Sequence, residues 1–517
     1  IICQKLILGF LARGLQHIVL CPGSRSGPLA LAIGSLSKYK DFELITTIDE
    51  RSAAFFALGL STTTGKATAV VTTSGTAVAN LLPAAIEADR SSQPLLFLTA
   101  DRPSRLKNCG SNQTVNQEEF LTSVCRSFEQ GPKAGIHLLS SEALEKLIEK
   151  SWLKAHDFFG PVHLNLPIEE PLNPTLLEQE QITNELIRES HQQPKYLNNS
   201  LSLLDERGLK SPPRLDPLSP GIVLVGPWRG NSQNLASFID VLCKWQKLSG
   251  WPVFADPLSG LTTNVAGLIG HWEILLSSEL STPKGDLQVL RLGPMPASRN
   301  LEKWLQEIGG KQLLITEGDP RRLDPLKVAN QWSGGIVKWW QKLVSEGSIN
   351  EKIHNPESEK LYKWLKTKDQ LSGNLLDSNL PLDGPITEPA LARWLPKLLP
   401  SDLPVMLAAS SPVRDWLSFA GKDAFKRHCF GFRGASGIDG TLSLGMGLAM
   451  GNGPTILITG DLALLHDSNG WLFSRTVGPP LIVFVIDNGG GGIFDRLNLE
   501  TESRTTLEKL FVMPQSV

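Results

Sequence analysis

Short runs of apolar and β-branched residues recur along the chain, each followed by a longer segment with helical spacing. In the first third the runs are HIVLCP, FELITTI, ATAVVTT, PLLFLTA and PVHLNLP, with segments such as GTAVANLLPAAIEADR between them. Strands this uniformly apolar need cover on both faces, and a strand-helix-strand rhythm provides it when the strands run parallel. The pattern predicts an α/β chain of doubly wound, mostly parallel sheets. It returns twice, first as GIVLVG, WPVFAD, LQVLRLG and KQLLITEGD, then as PVMLAASS, HCFGFRG, PTILITGD and PLIVFVIDN. Three α/β domains are therefore expected, over residues 1–175, 221–345 and 385–517. The polar, breaker-rich stretches 176–220 and 346–384 read as linkers, the second with a helix in it.

An internal parallel links the outer domains. TAVVTTSG and QPLLFLTAD in the first match TILITGD and PPLIVFVID in the third; Gly75 to Pro94 is 19 positions and Gly460 to Pro480 is 20. Two related domains flanking a different one would account for this, and so would the generic likeness of strand-helix-strand units.

Composition removes several classes of partner. A formal net charge of −2 over 517 residues gives no electrostatic case for nucleic acid or an anionic membrane. The six cysteines form no CxxC pair, so neither a zinc site nor a disulfide framework is indicated. No apolar run reaches the roughly 20 residues that span a bilayer. These features fit a cytoplasmic protein. The chain opens inside an amphipathic pattern, IICQKLILGFLARGL, and stops at FVMPQSV, so both ends read as truncated, the third domain most of all.

The last apolar run ends in IDNGGGGIF. Glycines are costly to order, and a ligand held by backbone atoms would compensate. Ligands of open α/β sheets bind beyond the carboxyl ends of strands, where Asp461 and Asp487–Asn488 both fall. A carboxylate and an amide oxygen 27 positions apart, with a glycine carbonyl, suit a hard cation such as Mg²⁺. The glycines would let main-chain N–H groups approach a diphosphate. The plainer reading has Asp461 capping the next helix and the glycines forming a loop. Elsewhere, Glu50 in ITTIDERSAAFFALGL follows a strand and opens an alanine-rich helix; Asp49 and Glu50 could equally complement the helix dipole. Arg25 (CPGSRSGPL), Arg102 (LTADRP), Arg414 (SSPVRDW) and Arg433 (FRGASGIDG) lie near strand ends and read as a pocket for carboxylates, or singly as solvated loop charges.

Taken together, the GD at 460–461 and the Asn488 after an apolar strand resemble the metal motif of the thiamine-diphosphate-dependent decarboxylase and carboligase superfamily. The chain departs from the usual GDG…NN form at Leu462 and Asp487. The resemblance implies that Asp461, Asn488 and the Gly490 carbonyl hold Mg²⁺ or Mn²⁺, and that Glu50 activates thiamine diphosphate through the pyrimidine ring. It also implies a homodimer or dimer of dimers with the active site at the subunit interface. The set PGSRS, TADRP, CGSNQ, SSPVR and RGASGIDG is more specific, and is similar to the 2-succinyl-5-enolpyruvyl-6-hydroxy-3-cyclohexene-1-carboxylate (SEPHCHC) synthase family. That likeness implies decarboxylation of 2-oxoglutarate and 1,4-addition of the succinyl unit to isochorismate. It places substrate contacts at Ser24, Arg25, Arg102, Gln113, Arg299, Ser410, Arg414 and Arg433, and makes Ile438 the apolar wedge that bends the cofactor. The alternatives are another thiamine-diphosphate carboligase, such as an acetolactate synthase relative, and a catalytically silent ligand-binding regulator of the same fold.

Overall fold

The computed structural model describes residues 1–157, 159–190, 212–347, 355–475, 478–496 and 504–515. Its strands fall into three sheets. The first holds β1 His17–Leu20, β2 Glu43–Thr46, β3 Thr68–Thr72, β4 Leu95–Asp101, β5 Ser127–Gln130 and β6 Pro161–Pro167 in the order β2-β1-β3-β4-β6-β5. The second holds β7 Gly221–Val225, β8 Val253–Ala255, β9 Gln288–Leu292, β10 Gln312–Ile315 and β11 Asn330–Trp332, ordered β11-β10-β9-β7-β8. The third, β12 Val405–Leu407, β13 Cys429–Gly431, β14 Thr455–Gly460 and β15 Leu481–Ile486, is ordered β13-β12-β14-β15. Every pair of these strands with a described register is parallel. The chain thus has three parallel-sheet α/β domains.

Burial explains the sequence pattern. All residues of β3, β4, β6, β7 and β9 are buried, as helices on both faces require. The edge strand β15 is only partly covered in spite of its apolar sequence, with Ile482 49% exposed.

By contacts the chain divides into two compact units. One contains the described residues of 1–205, 433–455 and 464–481; the other contains those of 206–432, 456–463 and 482–517. Within the first, Leu6, Phe10, Ile18, Leu96 and Val162 share a core with Ile148 and Trp152. Within the second, one apolar cluster runs from Val223, Trp245 and Trp339 to Val405, Trp416 and Ile458, so the second and third sheets share a core.

One segment read as linker is helical. Leu176–Ser190 forms a helix because Ile182, Thr183, Leu186 and Ile187 make a stripe along one side, and Gln4 donates to the Thr183 hydroxyl at 2.6 Å. Residues 191–211 of that stretch lie outside the described residues. In the other stretch, Pro356–Asn379 is a helix capped by Asn355, whose side chain accepts from the N–H of Glu357 and Ser358.

The helix Glu50–Thr64 is pressed against Thr441–Asn452 at two glycines. A Cβ on Gly59 would lie 2.5 Å from the Leu444 carbonyl oxygen, and one on Gly447 would lie 2.1 Å from that of Phe56. Backbone atoms cannot rotate away. Gly447→Val is expected to cost about 3 kcal/mol or to prevent folding. Gly34→Ala, where the new methyl meets nothing within 4 Å, should be neutral or stabilising by up to about 1 kcal/mol. Urea denaturation compares the two, and equal midpoints would refute this account of the crossing.

Candidate active site

In the first sheet the chain moves from β1 outward to β2 and then back to β3. The carboxyl ends of β1 and β3 therefore flank a topological switch point, where the crossover loops diverge and leave a crevice. Gly23, after β1, approaches Thr73, after β3, so closely that a Cβ would meet the threonine Cβ at 2.3 Å.

Arginines gather there. Arg25 is 7% exposed; its guanidinium donates to the Ile168 carbonyl at 3.0 Å and to the Glu170 carboxylate at 3.3 Å, and its buried Nε–H has no partner among the described residues. Arg102, after β4, donates to the Ser74 hydroxyl and, at 2.7 Å, to the Gln113 carbonyl. Burial, and then the neighbouring Arg25 charge, lower the Arg102 pKa from its usual value; Asp101 and Glu170 partly offset this. A pair of neighbouring guanidinium groups is the kind of arrangement that can take up an anion. Ser24 is exposed beside Arg25. Gln113 is exposed in a left-handed conformation (φ 58°), its side chain against Gly75.

A buried polar network supports the Arg102 loop. Asp101 accepts from Lys107 at 2.7 Å and from the Asn165 amide at 2.8 Å, and Gln117 donates to Asn165 at 2.9 Å while accepting from the Gly75 N–H at 2.9 Å. Thr99 pairs with Asn165 and, at 2.8 Å, with His163 Nε2.

Glu50 opens the helix Glu50–Thr64, yet it is Asp49 that caps it, accepting from the Ser52 N–H at 2.8 Å. The two acids therefore divide the work. Glu50 Oε2 accepts from the Asn80 amide at 3.2 Å, and Oε1 has no hydrogen bond among the described residues. The helix start is anchored by Asn469, which donates to Asp49 at 2.5 Å, and by Arg51, which donates to the His466 carbonyl at 3.0 Å. On the loop 433–440, Arg433 and Ile438 are half-buried; the Ile438 carbonyl accepts from the Thr441 hydroxyl at 2.8 Å.

The third sheet has its own switch point, between β12 and β14. Ser410 follows β12 in a left-handed conformation (φ 74°), sparsely populated for a serine, and Arg414 donates to its carbonyl at 2.8 Å. Asp461 begins at the end of β14. It is 2% exposed and accepts from two main-chain donors, Leu462 N–H at 2.8 Å and Gly490 N–H at 2.6 Å; no described cationic side chain pairs with it. Asn488, after β15, gives its amide N–H to Glu388 at 2.7 Å, which leaves its Oδ1 as an acceptor. Gly490 has φ 120°, and a Cβ there would strike the Val512 carbonyl oxygen at 2.3 Å. No three His, Cys, Asp or Glu side chains converge as metal ligands among the described residues. A buried carboxylate, an amide oxygen and a main-chain carbonyl nonetheless fit a hard, oxygen-seeking cation. Arg299 stands apart, exposed at the start of the helix Arg299–Glu307 and without a bond to any other candidate residue.

Sequence reasoning missed Glu388, Gln117 and Glu87. Glu388 reads only as a first-turn acid behind the Thr387 cap. The partners of the other two come from distant strands and loops, so no local signal marks them.

A sequence profile described as "Thiamine pyrophosphate enzyme, N-terminal TPP binding domain" matches residues 3–120. With the three parallel sheets, this defines the class as a thiamine-diphosphate enzyme. The SEPHCHC synthase of Prochlorococcus marinus (strain MIT 9313) is 57% identical, over 98% of this chain and 87% of its own length. The enzyme of the same name from strain NATL1A is 54% identical over 100% and 86%, and that of Synechococcus sp. (strain CC9311) is 52% identical over 98% and 88%. The chain belongs to the SEPHCHC synthase family.

His163 makes the network beneath the Arg102 loop sensitive to acid. Burial pushes its pKa down from 6.5 to about 4, against a small opposing pull from Glu118. A depressed folded-state pKa contributes stability above pH 6.5 that is lost as pH falls toward 4. Between pH 7 and pH 5 this amounts to about 2 kcal/mol. His163→Asn should therefore flatten the fall in stability over that interval, read by denaturation at both pH values; an unchanged slope would exclude His163 as its source.

Proposed function

We propose that the chain decarboxylates 2-oxoglutarate with thiamine diphosphate and joins the remaining succinyl unit to isochorismate by 1,4-addition, releasing CO₂ and keeping the pyruvyl group. It would be a transferase of menaquinone or phylloquinone biosynthesis. The observation that carries this reading is the near full-length likeness to relatives named for that product. Nothing favours a silent regulator.

When bound, thiamine diphosphate supplies a carbon nucleophile for the 2-oxo group and a sink for the electron pair left by CO₂. The residues of the chain supply position and protons. Asn80 holds one oxygen of Glu50, so the other is free to carry a proton toward a pyrimidine nitrogen. Asp461, Asn488 Oδ1 and the Gly490 carbonyl would hold Mg²⁺ or Mn²⁺, and the glycines at 489–492 would admit a diphosphate close to the main chain. The two acids bring four carboxylates. Arg25 and Arg102 are the best-formed cation pair for them, with Arg414, Arg433 and Arg299 as further candidates and Ser24, Gln113 and Ser410 as neutral donors. Ile438 would pack against the cofactor.

A homodimer or dimer of dimers with a shared active site is part of this reading. Ile48, beside the Glu50 helix, is 72% exposed, and Trp471 and Leu472 are 46% and 40% exposed, as apolar contacts awaiting a second copy would be. Light scattering of the active protein should give at least a dimer; an active monomer would refute it.

The decisive assay supplies 2-oxoglutarate with and without isochorismate and identifies the product. SEPHCHC forms only with both, chelation stops turnover, and Mg²⁺ or Mn²⁺ restores it. Acetolactate-type products would select the rival carboligase. Glu50→Gln should lower kcat by about 10²-fold or more while thiamine diphosphate still binds; unchanged kcat would remove Glu50 from the mechanism.

A further inference from the structure

Glu87 lies in the helix Leu82–Ser91 and is 4% exposed. Its carboxylate takes three successive main-chain N–H groups from a segment almost 350 residues away. Gly434 donates to Oε1 at 2.8 Å, and Ala435 and Ser436 donate to Oε2 at 2.6 and 3.1 Å. A run of N–H groups turned toward one anion is a nest, and Ser436 adopts the left-handed conformation (φ 62°) that turns it. The approach is tight: a Cβ on Gly434 would meet Glu87 Oε1 at 2.7 Å and the Glu87 carbonyl oxygen at 2.8 Å.

The residue that enters this clamp is Arg433. An arginine meant for a substrate carboxylate is useful only if its backbone is fixed, because an error of about 1 Å in a positioning contact can cost about 10²-fold in rate. Ile438, five residues on, is held independently by the Thr441 hydroxyl bond and by Gly440, whose Cβ would strike the Phe55 ring at 2.0 Å. The clamp therefore acts on the arginine end of the loop.

We infer that Glu87 is a positioning residue for substrate recognition: its carboxylate holds the main chain at 434–436 and so aims the Arg433 guanidinium at a substrate carboxylate. The inference depends on the reading of Arg433 given above. Glu87 itself touches no substrate. Glu87→Gln keeps the volume but replaces one acceptor by a donor facing N–H groups, whereas Glu87→Asp keeps the charge on a shorter arm.

The experiment measures kcat, KM for each acid, thiamine diphosphate affinity and thermal midpoint for Glu87→Gln, Glu87→Asp, Arg433→Ala and the Glu87→Gln/Arg433→Ala double variant. Glu87→Gln should raise KM about tenfold for the same acid that Arg433→Ala affects, with Glu87→Asp between it and the parent. Cofactor affinity should stay within about threefold, and the double variant should be no worse than Arg433→Ala alone, as two residues acting through one contact require. A raised KM for Arg433→Ala with normal KM values for Glu87→Gln overturns the inference alone. Unchanged KM values for Arg433→Ala overturn the reading of Arg433, and the inference with it. Additive losses, or two Glu87 variants that fail to fold, would make Glu87 a structural residue and overturn it as well.

Discussion

Parallel strands cannot be joined by tight hairpins. Each must be followed by a crossover that returns the chain to the same end of the sheet, so all the carboxyl ends of a sheet lie together. That constraint orders everything else in this protein. Arg25, Ser74 and Arg102 follow β1, β3 and β4; Ser410, Asp461 and Asn488 follow β12, β14 and β15. At the two switch points adjacent crossovers diverge, and there the chain keeps its least comfortable groups: a buried guanidinium whose Nε–H has no partner among the described residues, a left-handed serine, and a buried carboxylate that no described cationic side chain pairs with. Such groups are costly to bury alone.

Negative and positive groups are treated differently. Asp461 and Glu87 are buried and accept from main-chain N–H donors, which can satisfy a carboxylate. Lys107 binds Asp101 and Glu118 and is spent inside the fold. Of the arginines near strand ends, Arg102 donates to a hydroxyl and a carbonyl, and Arg25 to a carbonyl and, at 3.3 Å, to the exposed Glu170 carboxylate.

The fold was legible because burial on both faces writes itself into every position of a strand, so the runs that form β3, β4, β6 and β14 stand out. The short edge strands β5 and β11 did not, since SFEQ and NQW are too polar and too brief to carry a period. The helix Leu176–Ser190 was hidden for a related reason: its stripe is interrupted by Thr183, whose buried hydroxyl accepts from Gln4 and donates to the Gln179 carbonyl. Among the acids, residue type could not separate Asp49 from Glu50. Both suit a helix start, and the distinction appeared only when Ser52 N–H was found on one and Asn80 on the other.

Sequence by itself determined the parallel α/β class, the positions of the chemical groups along the strands and the family, because periodicity and motif spacing are local properties of the chain. Tertiary structure alone decided which groups are spent and which remain available. Asn488 turns its amide N–H to Glu388, Glu87 closes on a loop from the far end of the chain, and Gly59 and Gly447 let two helix backbones touch. These are contacts between residues 100 to almost 400 positions apart. Their energies depend on distance and burial, which no single segment of sequence contains.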